Sequence, residues 1–168
     1  HGKGDGEMKK EDESHLESIM KKFEQKLAKS KDAKEQRQSE EDVFYMEFKR
    51  IRTQVIRPAM EDIGNQLKAR GHNSEISEVG DERSKRDAKI TMSITIGGVP
   101  SSAYAPENTV SVSFSHTGHT TISIHASTPM QNRRGIAGLR GNYATSKITA
   151  DLVQKKILEV LEEVFSPS

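Results

Sequence analysis

The chain predicts an α+β fold: a two-layer sandwich in which an antiparallel four-stranded meander is covered on one face by helices. Three observations carry this expectation. Ile90, Met92, Ile94 and Ile96 alternate with polar residues, as do Val110, Val112 and Phe114, and then Ile122, Ile124 and Ala126. The intervening residues are nearly all Ser or Thr. Successive side chains of a strand point to opposite faces, so this is the pattern of a sheet with one buried and one wet face. Upstream and downstream, apolar residues recur every three or four positions, the spacing of amphipathic helices.

The elements follow in order. His1–Glu7 (HGKGDGE) reads as a cloning remnant ahead of a native start at Met8, and residues 1–13 as a disordered tail. Ser14, with Glu17 three residues on, forms a capping-box pattern. Behind it the stripe Leu16, Ile19, Met20, Phe23 and Leu27 marks a charged amphipathic helix. That helix is too poor in apolar contacts to stand alone, so the stripe is a candidate interaction surface. Ala28–Gln38 has no large apolar residue and reads as an exposed helical bridge or a flexible tether, which makes residues 14–38 an appendage. The single α+β domain is expected over 39–168. Ser39 is its first N-cap, with Glu40, Glu41 and Asp42 in the favourable first turn. Phe44, Phe48, Ile51, Val55, Ala59, Ile63 and Leu67 give a long helix. Pro58 lies inside it and predicts a kink near Arg57, or two abutting helices with Pro58 starting the second. Gly71 is the expected C-terminal stop.

A first strand is expected over 72–79, anchored by Ile76. The alternating segments follow as strands two to four. Phe114 and Ile122 both belong to the buried face, so the hairpin between them needs an odd loop such as Thr117–His119, or a bulge. That loop pairs Phe114 with Ile122, Val112 with Ile124 and Val110 with Ala126, and sets Ser111 opposite His125. The Gly-rich stretch 129–147 reads as a crossover. A closing helix starts near Thr145 or Ser146, with Ile148, Leu152, Val153, Ile157, Val160, Leu161, Val164 and Phe165 on its apolar face.

Composition narrows function without choosing one. Of 168 residues, 26 are Lys or Arg and 25 are Asp or Glu, a formal net charge of +1. Such a balance gives no overall attraction to nucleic acid or membrane. There is no Cys, so disulfides, thiol nucleophiles and thiolate metal sites are excluded. No apolar run approaches the roughly 20 residues needed to cross a bilayer. A cytoplasmic setting is expected.

Two clusters could carry chemistry. Asn108–Ala150 contains no acidic residue but carries Arg133, Arg134, Arg140 and Lys147 in a Gly-rich connection leading into a helix. Arg offers paired donors to phosphate, and helix N-termini favour anions, so a nucleic-acid backbone or a phosphorylated ligand would suit this segment. Its spacing matches neither the P-loop nor the dinucleotide fingerprint, and a solvated crossover is the plainer alternative. His116, His119 and His125 cluster about the last hairpin. They could serve a metal-dependent hydrolase, but no acid lies there to complete or orient a site; the plainer alternative is exposed turn histidines. No nucleophile elbow or facing carboxylate pair is present, so no catalytic residue, metal ligand or cofactor is assigned. The uncharged Ser/Thr face (Thr91, Ser93, Thr95, Thr109, Ser111, Ser113, Thr121, Ser123) is either solvated or covered by a protein partner. Together the stripe, the bridge and this face predict a non-enzymatic interaction or assembly module that forms homo-oligomers.

Overall fold

Lys, Glu, Gln and Ala are strong helix formers, and they dominate the first third of the chain. In the computed structural model, which describes residues 8–81, 83, 88–100, 108–116, 121–129 and 138–165, they form helix α1, Lys10–Ile51. Of the two alternatives for 28–38 the exposed helical bridge is the one found, so the two expected helices run as one and the flexible tether is not formed. Ala28–Gln38 is helical because nearly every residue in it favours the helix and its side chains pair along it. Gln36, for example, donates to Glu40 at 3.5 Å. Neither Ser14 nor Ser39 is a cap. The helix starts earlier, with Glu11, Asp12 and Glu13 in its first turn and Glu13 N–H bonded to Lys9 C=O. The chain divides into two units, His1–Glu40 and Glu41–Ser168.

In the second unit, α1 passes into one π-helical segment, Arg52–Ile56, and then helix α2, Arg57–Ala69. Pro58 lies in the first turn of α2. Its ring cannot accept a carbonyl four residues back at α-helical distance. The widened turn just before it, in which Arg57 N–H bonds Arg52 C=O, relieves that clash. Of the two expectations, the abutting second helix is the one found: α2 starts at Arg57 with Pro58 in its first turn, and a π turn joins it to α1. Gly71 does stop the helix. Its φ of +87° suits glycine, and His72 N–H to Leu67 C=O with Gly71 N–H to Lys68 C=O completes a Schellman motif.

Among the described residues the sheet has five strands, not four: β1 Asn73–Val79, β2 Lys89–Thr95, β3 Thr109–His116, β4 Thr121–Ser127 and β5 Gly138–Ala144. They run as an antiparallel meander in the order β1-β2-β3-β4-β5. The alternation places Ile90, Met92, Ile94, Val110, Val112, Phe114, Ile122, Ile124 and Ala126 on the buried face. Strand β5 lies in what reads as a loop, because Gly138 and Gly141 break the alternation and Tyr143 alone packs on the core. The irregularity is a bulge in β5: the adjacent Ile124 and His125 of β4 face Gly141 and Leu139, which leaves Arg140 as the extra residue.

The β3–β4 register differs from expectation by two residues. Phe114 opposes Ile124, Val112 opposes Ala126 and Ser113 opposes His125, while Ser111 opposes Ser127. A shift of two keeps every side chain on its own face, and five residues separate the last pair, His116 and Ile122, so the loop is odd in length. The three-residue loop Thr117–His119 itself falls outside the described residues. Helix α3, Ala150–Phe165, begins later than Thr145. Residues Thr145–Lys147 form a 3₁₀ turn, and Thr149 is the cap, its Oγ1 accepting from Leu152 N–H at 3.1 Å. Phe44, Tyr45, Phe48 and Ile51 of α1, Ala59, Met60 and Ile63 of α2, and Val153, Ile157 and Val160 of α3 join the buried sheet face in one core.

Candidate interaction surfaces

In the first unit the stripe stands open. Leu16, Ile19, Met20, Phe23 and Leu27 are 46%, 49%, 46%, 55% and 55% exposed. Leu16, Met20, Phe23 and Leu27 step by four, three and four, the spacing of a coiled-coil seam, and Ile19 lies beside them. Ser30, Lys34 and Arg37 occupy the next seam positions and end its apolar run. Half-exposed aliphatic and aromatic side chains spaced along one helical face have more to gain from a partner than from water.

The four basic candidates are not equally placed. Arg133 and Arg134 lie outside the described residues. Arg140 sits in β5 and donates through both terminal nitrogens to Glu163 of α3, at 2.6 and 3.1 Å. That fork holds its guanidinium above its ordinary pKa. Beside it, Lys156 lies 5.6 Å from the Tyr143 ring centre, and its contact with that residue raises the ammonium pKa. Both contacts tie β5 to α3. Lys147 is exposed in the 3₁₀ turn.

The hairpin histidines separate. His125 is exposed, and His119 falls outside the described residues. His116 is no exposed turn residue: it is 3% exposed, at the inward-facing end of β3. Phe44, Phe48 and Tyr45 surround its ring at centroid distances of 4.5, 5.9 and 6.4 Å. Burial pushes its pKa below the ordinary imidazole value, and the charge of Glu41 pulls weakly the other way. Among the described residues, no group of three or more His, Asp or Glu is placed to hold a metal. No described helix is long and apolar enough to cross a membrane.

The Ser/Thr face is largely self-satisfied. Thr91 and Ser113 hydroxyls meet at 2.8 Å, Thr95 and Thr109 at 3.2 Å, and Ser123 donates to Asn142 at 2.5 Å. Such pairs lower the cost of covering the face, because the hydroxyls keep partners without water.

Sequence reasoning missed two features. Arg52 is 7% exposed and donates to the carbonyls of Val79, at 3.1 Å, and Gly80, at 3.3 and 3.4 Å. It lies 3.6 Å from the Glu78 carboxylate, and its guanidinium sits 5.6 Å from the Phe48 ring centre. The only sequence signal was a charge one residue beyond the apolar Ile51, inside a helix whose turn is widened. The second feature is a cleft of about 440 Å³ between α2 and β1, lined by Arg57, Glu61, Lys68, Asn73, Ser74 and Ile76 among others. It depends on how a helix flank meets a strand edge, which no local pattern reveals.

The chain matches no family model, no curated protein and no solved structure.

Proposed function

We propose that this chain is a non-enzymatic interaction and assembly module that associates with further copies of itself through the stripe Leu16, Ile19, Met20, Phe23 and Leu27. The observation that carries this reading is the half exposure of all five side chains on one helical face. Two stripes packed together would remove that apolar surface from water, at about 25 cal/mol per Å². The seam is short, so association is expected to be reversible rather than obligate.

The flanking charges shape the behaviour. A parallel in-register pair sets Lys26 of each copy against Lys31 of the other, and Asp12 against Glu17; an antiparallel pair sets Glu17 against Glu24. Like-charge pairs of this kind each cost roughly 0.2–0.5 kcal/mol. Salt screens them while leaving the apolar contact intact, so association should tighten as salt rises. Phosphate binding through Arg133, Arg134, Arg140 and Lys147 would do the opposite, because salt competes for phosphate contacts. Light scattering across a concentration series at two salt levels tests the proposal. A chain that stays monomeric at high concentration in both, as does a version lacking residues before Ser39, refutes it.

A further inference from the structure

Strand β1 is a sheet edge: β2 pairs with it on one side, and no described strand lies on the other. An edge carries a row of backbone N–H and C=O groups that can pair with an incoming strand. Beside this edge lies the α2–β1 cleft. Arg57, Glu61, Gly64 and Lys68 line it from α2, at helical spacing. They lie roughly a quarter of a turn from Met60, Ile63 and Leu67, which pack into the core. The cleft thus runs along the flank of α2 that meets the sheet edge, where a Cβ on Gly64 would stand 2.8 Å from Ser74 Oγ and 3.7 Å from Met92 Cε. From β1, Asn73, Ser74 and the half-buried Ile76 complete it.

Its charges are unevenly matched. Arg57 is shared between Glu61, at 3.0 Å, and Glu78, at 3.7 Å. Lys68, at the other end, is exposed and has no ion-pair partner among the described residues. We propose that this cleft is a peptide-binding site, in which an extended acidic segment of a partner protein adds to the β1 edge. Its backbone pairs with the strand, one carboxylate meets Lys68, and an aliphatic side chain two residues away rests on Ile76. Main-chain pairing supplies affinity and the alternate side chains supply selectivity. The site lies within residues 57–76 and does not use the α1 stripe, so its fate is independent of self-association.

Fluorescence anisotropy on the full chain tests it, with two labelled synthetic heptapeptides of sequence TVTETVT and TVTKTVT, in which the valines two residues from the charge share its face. The acidic peptide should bind saturably and the basic one about fivefold more weakly or worse, the effect of exchanging an attractive for a repulsive exposed pair. Lys68→Glu should reverse that order. This exposed substitution should leave the thermal midpoint unchanged, which separates lost binding from lost folding. A second variant, Phe23→Glu, should leave both affinities as they are. Absence of saturable binding by either peptide to folded protein overturns the proposal. So does binding that ignores both the peptide's charge and Lys68→Glu.

Discussion

Replacing Arg52 by Met removes a guanidinium that holds the end of β1 against the π-helical segment, while leaving an unbranched stem over Phe48. Three contacts go at once. The carbonyls of Val79 and Gly80 lose donors at 3.1 and 3.3 Å. Glu78 loses a cation at 3.6 Å, though Arg57 still lies 3.7 Å from it. Hydrogen bonds from a charged donor contribute about 1.5–3 kcal/mol each, and a carbonyl left unsatisfied costs about 1–3 kcal/mol. The Glu78 pair is partly exposed and adds no more than about 1 kcal/mol. Against this stands the relief of no longer burying a charge, which offsets part of the loss. The net expectation for Arg52→Met is a loss of about 2–4 kcal/mol. Arg52→Lys should lose less than Met but not recover the wild type, because an ammonium lacks the fork that reaches two carbonyls. Urea unfolding followed by circular dichroism gives the numbers. A lower midpoint at unchanged slope supports the account. A Met variant within about 0.5 kcal/mol of the wild type refutes the claim that Arg52 fastens this corner.

Other outcomes follow from single positions. His116 titrates below its unfolded value, so the folded state favours the neutral ring. Its contribution is therefore complete above the unfolded pKa of about 6.5 and is lost as pH falls from there through the folded value. Melting temperatures of wild type and His116→Met across that window should diverge from parallel, the wild type falling more steeply; parallel curves would exclude His116 as the cause. Gly141 has φ +144°, and a Cβ there would lie 2.7 Å from the Tyr143 ring, so Gly141→Ala should cost about 1–3 kcal/mol in unfolding free energy. Gly97→Ala, with φ +88° but no neighbour within 4 Å, should cost less, and an equal loss at both positions would show that the ring contact is irrelevant.

Much of the fold was legible because its signals are periodic. Ile90 to Ile94, Val110 to Phe114 and Ile122 to Ala126 each reveal a strand and its buried face, and Gly71 reveals a helix stop. The failures have physical causes. Two plausible caps, Ser14 and Ser39, are overridden because the residues on either side of each are good helix formers, so continuing the helix costs less than breaking it. Strand β5 is held by backbone pairing with β4, by Tyr143 and by the Arg140–Glu163 fork rather than by its own alternation. The β3–β4 offset could be narrowed to an odd loop but not to its length, since shifts of two residues conserve the face pattern. Among the candidate sites, the stripe was visible as spacing. The burial of His116 and the cleft beside β1 arise from tertiary placement. The same is true of Arg140: its partner Glu163 lies 23 residues away on another element.

The central claim is that the exposed stripe on α1 mediates self-association. Sedimentation equilibrium of the full chain against the double variant Phe23→Glu, Leu27→Glu, at low and high salt, tests it most directly. The wild type should associate reversibly, and more tightly as salt rises. The variant should be monomeric in both conditions, with the thermal midpoint of residues 41–168 unchanged. A wild type that remains monomeric at millimolar concentration, or a variant that associates as the wild type does, contradicts it.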